Sequence, residues 1–262
     1  MANVNHLQEL NTLKFNKNYG QWFLNDVIHA ITRYGMIDHD EHLCVALSGG
    51  KDSVALTYIL AYLTRYSYLR FTLSALHVKT GDYDTSVLQT FCIGLDIRYL
   101  EECMIPGSTR SDTNICYTCA RLKRGAMSQR LTQEGIRTIA YGHHADDAAE
   151  TFFMNMVQNR KLGSFSPKVE IADSQMIIIR PMIYLTEAAI QRIHAHLGLP
   201  TLDWQCPHAA ANIRNSYKQG VSQLNSVFQT TDFPQKLVAS LENIDTTNLW
   251  SSRECPSSTV NP

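Results

Sequence analysis

Residues 43–60, LCVALSGGKDSVALTYIL, decide the fold of this chain. The first residues of the stretch favour a strand, the last favour a helix, and Gly49 and Gly50 stand between them in the short sequence SGGKDS. Glycines between a strand and a helix let the backbone bend sharply, so that successive N–H groups and the helix N-terminus point at one place. The stretch therefore predicts a strand, an anion-binding loop and a helix.

The side chains of the 48–53 loop suit a nucleotide phosphate. Lys51 would supply a positive charge for phosphate oxygens, and Ser48 and Ser53 would supply hydroxyl donors. Asp52 would repel a phosphate unless a cation lay between them, so we predict that Asp52 holds Mg²⁺. The spacing of the common NTPase loop is absent from the sequence, as is G-x-G-x-x-G. The plain alternative is a glycine-rich turn that binds nothing.

Around this loop, short apolar runs alternate with helical stretches. The runs HLCVAL, FTLSALHV, DIRYLEE, IRTIAY and QMIIIRPM are apolar enough for buried strands. Strands that alternate with helices are typical of an α/β fold with a doubly wound, mainly parallel sheet. We divide the chain into an N-terminal helical segment (1–40), a nucleotide-binding domain (41–215), and C-terminal helices with a polar tail (216–262), so that helical additions flank the sheet.

Composition limits the kind of protein this can be. The 262 residues are 44% hydrophobic and carry a net charge of -1, so a polyanion could bind only to a local basic patch. No run reaches the roughly 18 apolar residues of a membrane span, and the N-terminus lacks an apolar signal core. We therefore expect a cytoplasmic protein with no membrane contact. Seven cysteines indicate metal binding or thiol chemistry more than a disulfide framework.

Two cysteine motifs are candidates for a metal centre. In NICYTCARLKRG, Cys116 and Cys119 are three residues apart, a spacing that puts both on one face of a helix. Cys206, in LDWQCPHAAANIRN, is the third candidate. Three thiolates suit a four-iron cluster, whereas Cys206 with His208 would suit zinc. We interpret three other cysteines as small buried hydrophobic side chains: Cys44, Cys92 and Cys103.

The stretch YGHHADD, residues 141–147, follows a predicted strand, at the edge where open sheets bind ligands. Either histidine could contact a nucleotide or transfer a proton, and Asp146 or Asp147 could hold magnesium or cap the next helix. We predict nucleotide contacts for Gly142, His143 and Asp147.

Taken in order, these motifs resemble a known family. SGGKDS resembles the pyrophosphate loop of the PP-loop ATP pyrophosphatases, whose fold is adenine nucleotide alpha hydrolase-like. CYTCARLKRG, YGHHADD and IIIRPMIYLTE resemble further motifs of the TtcA family of tRNA 2-thiocytidine biosynthesis proteins, and the match runs from about residue 43 to residue 214. The family's later C-x-x-C reads CPHA here, with Ala209 in the second place, and HVKTGDYDTS is unlike the longer family segment.

The resemblance implies an ATP-dependent tRNA sulfurtransferase. ATP and Mg²⁺ would bind at the 48–53 loop, a base carbonyl would take up AMP, and sulfur would then displace it. Lys51 and Asp52 would act on the phosphates, and three cysteines would hold a [4Fe-4S] cluster that takes part in catalysis: Cys116, Cys119 and Cys206. The implied partners are tRNA, sulfide or a cysteine desulfurase as sulfur donor, and a second copy of the chain, bound through the N-terminal helical segment.

Two other readings stay open. One is an enzyme with the same ATP chemistry, another acceptor, and a zinc or redox-active cysteine site. The other is a nucleotide- or metal-binding protein without turnover. Basic residues near the cysteine motifs could form a collar for RNA or be ordinary solvated charges: Arg121, Lys123, Arg124, Arg130, Arg160, Lys161, Lys168, Arg214 and Lys218. Aromatic residues of the N-terminal segment could stack on RNA, although packing against the core is the simpler role: Phe15, Tyr19, Trp22 and Phe23.

Overall fold

The computed structural model describes residues 13–104, 115–172, 174–203 and 213–246. Within these ranges a six-stranded sheet has the order β3-β2-β1-β4-β6-β5. The strands are β1 Glu41–Ala46, β2 Phe71–Lys79, β3 Arg98–Cys103, β4 Thr138–Ala140, β5 Lys168–Ile171 and β6 Met176–Ile179. Neighbouring strands are parallel except β5 and β6, which pair antiparallel. The predicted α/β fold with a mainly parallel sheet is confirmed.

The helices follow the predicted order. After a π-helical turn, Gly20–Leu24, they are α1 Asn25–Arg33, α2 Lys51–Tyr66, α3 Ser86–Gly94, α4 Ile115–Gln133, α5 Ala145–Asn159, α6 Glu187–Leu197, α7 Arg214–Val227 and α8 Phe233–Glu242. Asp84 precedes α3, where its carboxylate accepts a hydrogen bond from the Ser86 amide at 2.8 Å.

Helix α2 forms the centre of the core. Every residue from position 53 to position 63 is buried, so the helix is enclosed on all sides, as expected of one that is apolar all round. Thr57 places its hydroxyl on the Ser53 carbonyl at 2.8 Å, which satisfies that polar group in the interior. Each fully buried side chain such as Leu56 or Ile59 stabilises the fold by roughly 1.5–3 kcal/mol.

The sheet changes direction between β1 and β4. The chain runs outward from β1 through β2 to β3, then returns to place β4 on the other side of β1, with Val45 opposite Ala140. In parallel sheets a crevice opens at the carboxyl ends of the two strands where the order reverses. The 48–53 loop follows β1 and the 141–147 stretch follows β4, so both predicted motifs meet at this crevice.

The edge strand β5 was not predicted. Its sequence KVEI is short and only half-buried, so it lacks the apolar run by which the other strands were recognised. Lys168 and Glu170 lie on this strand, and charged side chains are common on edge strands because they discourage pairing with other chains.

The N-terminal aromatic residues pack mainly into the protein. Tyr19 and Phe23 are buried, and the Tyr19 ring lies 5.4 Å from the Tyr62 ring of α2. Phe15 is exposed over 67% of its surface. One hydrophobic core runs from Leu13 to Val238; the proposed boundaries at residues 40 and 215 stay predictions. In the described part of the chain, every helix is too short or too polar to cross a membrane.

Candidate active site

A cavity of about 360 Å³ opens at the carboxyl ends of β1, β2 and β4. The predicted nucleotide-binding residues on its wall are Ser48, Asp52, Ser53, Gly142, His143 and Asp147. The structure therefore brings the two predicted motifs to one cavity. Its wall also includes residues for which the sequence predicted no nucleotide contact: His77, Tyr83, Lys123, Met127, Tyr141 and Arg214.

The 48–53 loop depends on glycine at position 49. Gly49 has a φ of +87°, a conformation that L side chains rarely adopt, and a Cβ there would lie 2.6 Å from the Cβ of Leu202. The Leu202 amide also donates to the Gly49 carbonyl at 2.9 Å. The segment after α6 therefore packs directly on the loop, and Leu202 lies four residues before Cys206 in the sequence.

The loop presents a helix N-terminus to the cavity. Gly50 is the N-cap of α2, and no side chain among the described residues caps this end. The hydroxyls of Ser48 and Ser53 are 3.0 Å apart, and Ser53 donates to the Gly50 carbonyl at 2.9 Å. The first amides of a helix lack partners within the helix and carry partial positive charge, so this end of α2 suits an anion.

Gly142 lets β4 approach the start of α2 closely. A Cβ at position 142 would lie 3.0 Å from the carbonyl carbon of Asp52 and 3.1 Å from the Ser53 nitrogen. These are backbone atoms of the first turn of α2, which cannot move aside as the end of a side chain can. Gly142 therefore fixes the spacing between the two halves of the cavity, a geometric role distinct from its predicted contact with the nucleotide.

Lys51 is held in a network of ion pairs. Its Nζ lies 2.8 Å from Oδ1 of Asp52 and 3.1 Å from Oε1 of Glu187, and Lys218 lies 2.6 Å from the same Glu187 oxygen. Burial disfavours the charged form of Lys51, but the two carboxylates outweigh it and raise the pKa of the lysine. Lys51 is therefore fully charged at the loop.

Glu187 is the last residue of the IIIRPMIYLTE motif, and the sequence predicted no role for it. In the structure it joins two helices and pairs with Lys51. It lies in the first turn of α6, whose N-cap Thr186 accepts a hydrogen bond from the Ala189 amide at 3.2 Å. The Glu187 amide donates to Asp146 at 2.7 Å, so the starts of α5 and α6 are joined. Asp146 is thus a structural acceptor for α6.

His144 lies among three carboxylates. Its Nε2 is 3.4 Å from Asp147 and 3.9 Å from Asp52, and its Nδ1 is 3.5 Å from Asp146. Burial works against a charged ring, but a hydrogen bond to Asp146 and the charges of Asp147 and Asp52 raise the pKa of His144. The three carboxylates therefore favour the protonated form of His144.

Asp147 both caps α5 and binds Arg214. One of its oxygens accepts from the His144 amide at 3.0 Å, and the other accepts from Arg214 at 2.8 Å. Arg214 also donates to the buried Glu150 at 2.9 Å. Burial raises the pKa of Glu150, although Arg214 opposes the shift. Arg214 begins α7, so the segment that carries Cys206 is flanked on both sides by contacts with the site, at Leu202 and at Arg214.

Helix α4 connects the cysteine motif to the cavity. Cys116 lies in the first turn of α4, and Cys119 follows on the same helix with a partly exposed side chain. Lys123, one helical turn after Cys119, lines the cavity beside Met127. The sequence identified Lys123 only as a basic residue, because its approach to the cavity depends on how α4 packs against β2. Cys206 lies outside the described residues.

The remaining cysteines differ from the prediction at one position. Cys44 and Cys92 are buried, and burial raises the pKa of Cys92 to about 12 and that of Cys44 further, so both thiols stay neutral. The interpretation of Cys103 as a buried residue was wrong. It ends β3, where the strand leaves the sheet, and its side chain is exposed.

The donor groups of the site match part of what the implied metals require. Among the described residues, no three His, Cys, Asp or Glu side chains converge as a complete metal site. Mg²⁺ commonly binds through one or two carboxylates together with substrate phosphates, so Asp52 on the cavity wall fits a magnesium ion that arrives with a nucleotide. The thiol of Cys119 is the right donor type for iron, and the fit of the full three-cysteine set depends on Cys206.

The floor of the cavity contains a buried histidine. His77 is 2% exposed, and its ring nitrogens lie 2.8 Å from the Leu47 carbonyl oxygen and 3.1 Å from the Tyr83 hydroxyl. Burial lowers the pKa of His77, which keeps the ring neutral at neutral pH. Tyr83 belongs to the HVKTGDYDTS stretch, so the segment that departs from the TtcA pattern forms part of the cavity wall.

Comparison with known proteins agrees with this architecture. A family model described as a PP-loop domain matches residues 13–218. A tRNA-cytidine(32) 2-sulfurtransferase from Syntrophotalea carbinolica is 32% identical over 232 residues, which cover 84% of this chain and 88% of that protein. The protein of the same name from Idiomarina loihiensis is 30% identical over 237 residues, covering 87% of this chain and 78% of that one.

Among solved structures, the chain is similar to the U34-tRNA thiolase NcsA from Methanococcus maripaludis with its [4Fe-4S] cluster. The TM-score is 0.68 at 18% identity, over 84% of this chain and 76% of NcsA, a likeness that shows the fold. The family model and the two sequence relatives confirm the family suggested by the four sequence motifs. The chain belongs to the PP-loop domain family and, within it, to the tRNA-cytidine(32) 2-sulfurtransferases.

Proposed function

We propose that this protein is a cytoplasmic enzyme that uses ATP to convert a cytidine of tRNA, at position 32 as in its relatives' names, into 2-thiocytidine. The observation that carries the proposal is the position of α4. This helix bears Cys116 and Cys119, and its Lys123 lines the same cavity as Ser48 and Asp52 of the phosphate loop. A nucleotide activated at the loop would therefore lie next to the cysteines that supply sulfur chemistry.

ATP would bind with its phosphates on the N-terminus of α2. The unpaired helix amides and the charge of Lys51 attract the phosphates, and Asp52 would hold the Mg²⁺ that accompanies them. Lys51 lies 2.8 Å from Asp52 and 3.1 Å from Glu187, so its charge is held at the start of α2. Phosphate oxygens would replace these carboxylates as partners of the lysine.

The first chemical step would be adenylation of the base. The carbonyl oxygen at C2 of cytidine attacks the α-phosphorus of ATP, the bond from that phosphorus to the bridging oxygen breaks, and pyrophosphate leaves. Negative charge grows on the departing phosphates, and Lys51 and the start of α2 stabilise it. Lys123 lies on the facing wall of the cavity and adds a second positive charge.

The second step would replace the activated oxygen by sulfur. Cys116, Cys119 and Cys206 would hold a [4Fe-4S] cluster, which would supply sulfur at the oxidation level of hydrosulfide. The hydrosulfide sulfur from the donor would form a bond to C2 of the activated base. The C2–O bond then breaks, AMP leaves with that oxygen, and the base keeps sulfur at C2. AMP is a far better leaving group than the original carbonyl oxygen, which is why the reaction consumes ATP.

Basic residues around the cavity would bind the tRNA backbone. Three of the nine suggested by the sequence already pair with carboxylates, Arg130 with Glu134, Arg214 with Asp147 and Lys218 with Glu187, and Lys168 donates to the distant Gly35 carbonyl. Arg124 donates only to the Ala120 carbonyl of its own helix, at 3.4 Å, a contact that an RNA phosphate would replace. The better candidates for RNA contacts are the other five: Arg121, Lys123, Arg124, Arg160 and Lys161.

Metal content and AMP release test this proposal together. The protein would be purified without oxygen, and iron, acid-labile sulfide and zinc would be measured per chain. We expect about four irons and four sulfides, lost in a variant with Cys116, Cys119 and Cys206 all changed to alanine. The matched control changes Cys92, which is buried in a different hydrophobic cluster from Met127 and Leu131 of α4, and should keep the iron.

The other outcomes separate the alternatives. About one zinc per chain, with AMP still formed on an RNA or small acceptor, would indicate the same ATP chemistry with a different acceptor. Absence of AMP formation with every RNA tested would indicate a binding protein without turnover. Either result would contradict the proposed thiolation.

A further inference from the structure

Arg180 makes a direct contact with His143 of the cavity wall. Arg180 follows β6 immediately, and His143 follows β4, the neighbouring strand in the sheet. The guanidinium Nε donates a hydrogen bond to Nδ1 of His143 at 3.1 Å. The sequence assigned no role to Arg180, which it showed only as part of an apolar strand motif.

The environment of Arg180 holds the guanidinium in place. The residue is 9% exposed, its Nη1 donates to the Ser166 carbonyl oxygen, and its Cζ lies 4.7 Å from the centre of the Phe165 ring. The Arg180 amide also donates to the Pro167 carbonyl at 2.9 Å. A buried arginine with this many contacts has one orientation, so the Nε that faces His143 is fixed.

The contact determines the protonation of His143. A guanidinium only donates hydrogen bonds and stays protonated in proteins, so Nδ1 of His143 must be the acceptor and must lack a proton. The proton of the neutral ring is then on Nε2. Because Nδ1 is used by Arg180 and the residue lines the cavity, Nε2 is the ring nitrogen available to a ligand.

Two further observations agree with a neutral, fixed ring. His143 stacks on Tyr141 with 5.6 Å between ring centres and an interplanar angle of 7°, and it lies 5.1 Å from the Phe165 ring. Burial lowers the pKa of His143 to about 4, although Asp147 opposes the shift. At neutral pH the ring of His143 is therefore a hydrogen-bond donor without charge.

We propose that Arg180 is a positioning residue that fixes His143 as its Nε2–H tautomer, and that His143 is a catalytic residue that donates this hydrogen bond to an oxygen of the bound substrate. The oxygen belongs either to a phosphoryl group of ATP or to the carbonyl of the base. The identity of the substrate rests on the proposed function; the tautomer does not.

The tautomer is tested by NMR of the full chain labelled with ¹⁵N at histidine. The ring nitrogens of His143, identified among the ten histidines by their loss in His143→Gln, should show a protonated Nε2 and an unprotonated Nδ1 at pH 7. Arg180→Lys keeps a cationic donor and should retain this pattern, whereas Arg180→Met should give a mixture of tautomers. A protonated Nδ1 in the native chain would overturn the proposal, even if Arg180→Met failed to fold.

The donor role is tested with a matched pair of variants. Gln at position 143 places an amide N–H near the position of Nε2, whereas Asn places it near Nδ1. We expect AMP formation to fall about 100-fold in His143→Asn and less than about 10-fold in His143→Gln. A raised ATP Kd in the Asn variant would identify a phosphoryl oxygen; an unchanged Kd with a lower kcat would identify the base carbonyl.

Equal ATP Kd and equal kcat in the two variants would overturn the donor role. If the native enzyme formed neither AMP nor thiolated base, the proposed function would fail, while ATP affinity and the NMR tautomer would still test this inference separately.

Discussion

At the scale of single residues, the site is a set of opposite charges that hold one another before any ligand binds. Lys51 shares Asp52 and Glu187 as partners, and Glu187 is shared in turn with Lys218. Two lysines therefore contact one carboxylate, but only Lys51 belongs to the phosphate loop. Under the proposed function, the charge of Lys51 acts on the phosphates, whereas the charge of Lys218 only neutralises Glu187.

Replacing Lys51 by methionine should remove the loop charge. We expect AMP formation to fall about 100-fold or more, because developing charge on the phosphates would lose its nearest cation. Lys218→Met is the matched control: it removes the other cation from Glu187 and should change AMP formation less than about threefold. Radiolabelled ATP turnover measures both. Equal losses in the two variants would contradict a special role for Lys51.

His143 should make stability depend on pH. Its pKa falls from the ordinary 6.5 to about 4 on folding because the ring is buried. Between these values the unfolded chain binds a proton that the folded chain does not, so stability is present above pH 6.5 and is lost as the pH falls toward 4. His143→Gln removes the contribution of His143 to the pH dependence of stability.

Urea unfolding at pH 7 and pH 5 measures the effect. Between pH 7 and pH 5 the native chain should lose about 2 kcal/mol more stability than His143→Gln. Parallel losses in the two proteins would show that His143 titrates normally in the folded state.

At the scale of elements, the cavity depends on two close approaches of backbone to backbone. Gly49 makes one with the segment after α6, and Gly142 makes the other with the first turn of α2. The glycines were visible in the sequence, but the partners were not, because Leu202 lies more than 150 residues from Gly49.

Adding a methyl group at either Gly49 or Gly142 should distort the wall of the cavity. Gly49→Ala would meet Leu202 and adopt a disfavoured φ, and Gly142→Ala would meet the backbone of α2. We expect each to lower stability by about 1–3 kcal/mol and to weaken ATP binding. Gly220→Ala, within helix α7 and with open space around it, should be neutral or stabilising. Calorimetry with and without ATP measures the stability and the ATP affinity of each variant. Unchanged ATP affinity in both Gly49→Ala and Gly142→Ala would contradict the role of these glycines in shaping the cavity.

The sequence predicted local features well and distant contacts poorly. The strand, loop and helix around residue 50 were predicted because glycine content and apolar periodicity are local signals. Strand β5 was missed because it is short and only half-buried. Glu187 was given no role, and Arg214 was considered only as an RNA contact, because their partners within the protein come from another helix. The spacing of charged residues in the sequence indicates which helix face they occupy, whereas their partners depend on how the helices pack.

At the scale of the whole molecule, charge is concentrated where the proposal needs it. The net charge of the chain is only -1, yet α4 carries Arg121, Lys123 and Arg124 directly after its cysteines. Non-specific attraction of RNA to the entire surface is therefore weak. Binding should depend on this local basic patch.

Removing charge from α4 should change how tRNA binding responds to salt. Changing Arg121 and Arg124 together to glutamine should weaken binding and lower the slope of log Kd against log salt by about two. Arg137→Gln is the control, because Arg137 pairs with Glu170 at the opposite end of the sheet from the cavity. Filter binding over a salt series measures the slopes. Identical slopes for the native and doubly substituted chains would place the RNA elsewhere.

The central claim is that one cavity joins ATP cleavage to sulfur transfer onto tRNA. The most direct measurement incubates the anaerobically purified enzyme with ATP, Mg²⁺, sulfide and unmodified tRNA, and quantifies AMP and 2-thiocytidine by mass spectrometry of the digested RNA. The account predicts one AMP for each 2-thiocytidine formed, and neither product in excess of background with Lys51→Met. AMP without any thiolated cytidine would contradict the account.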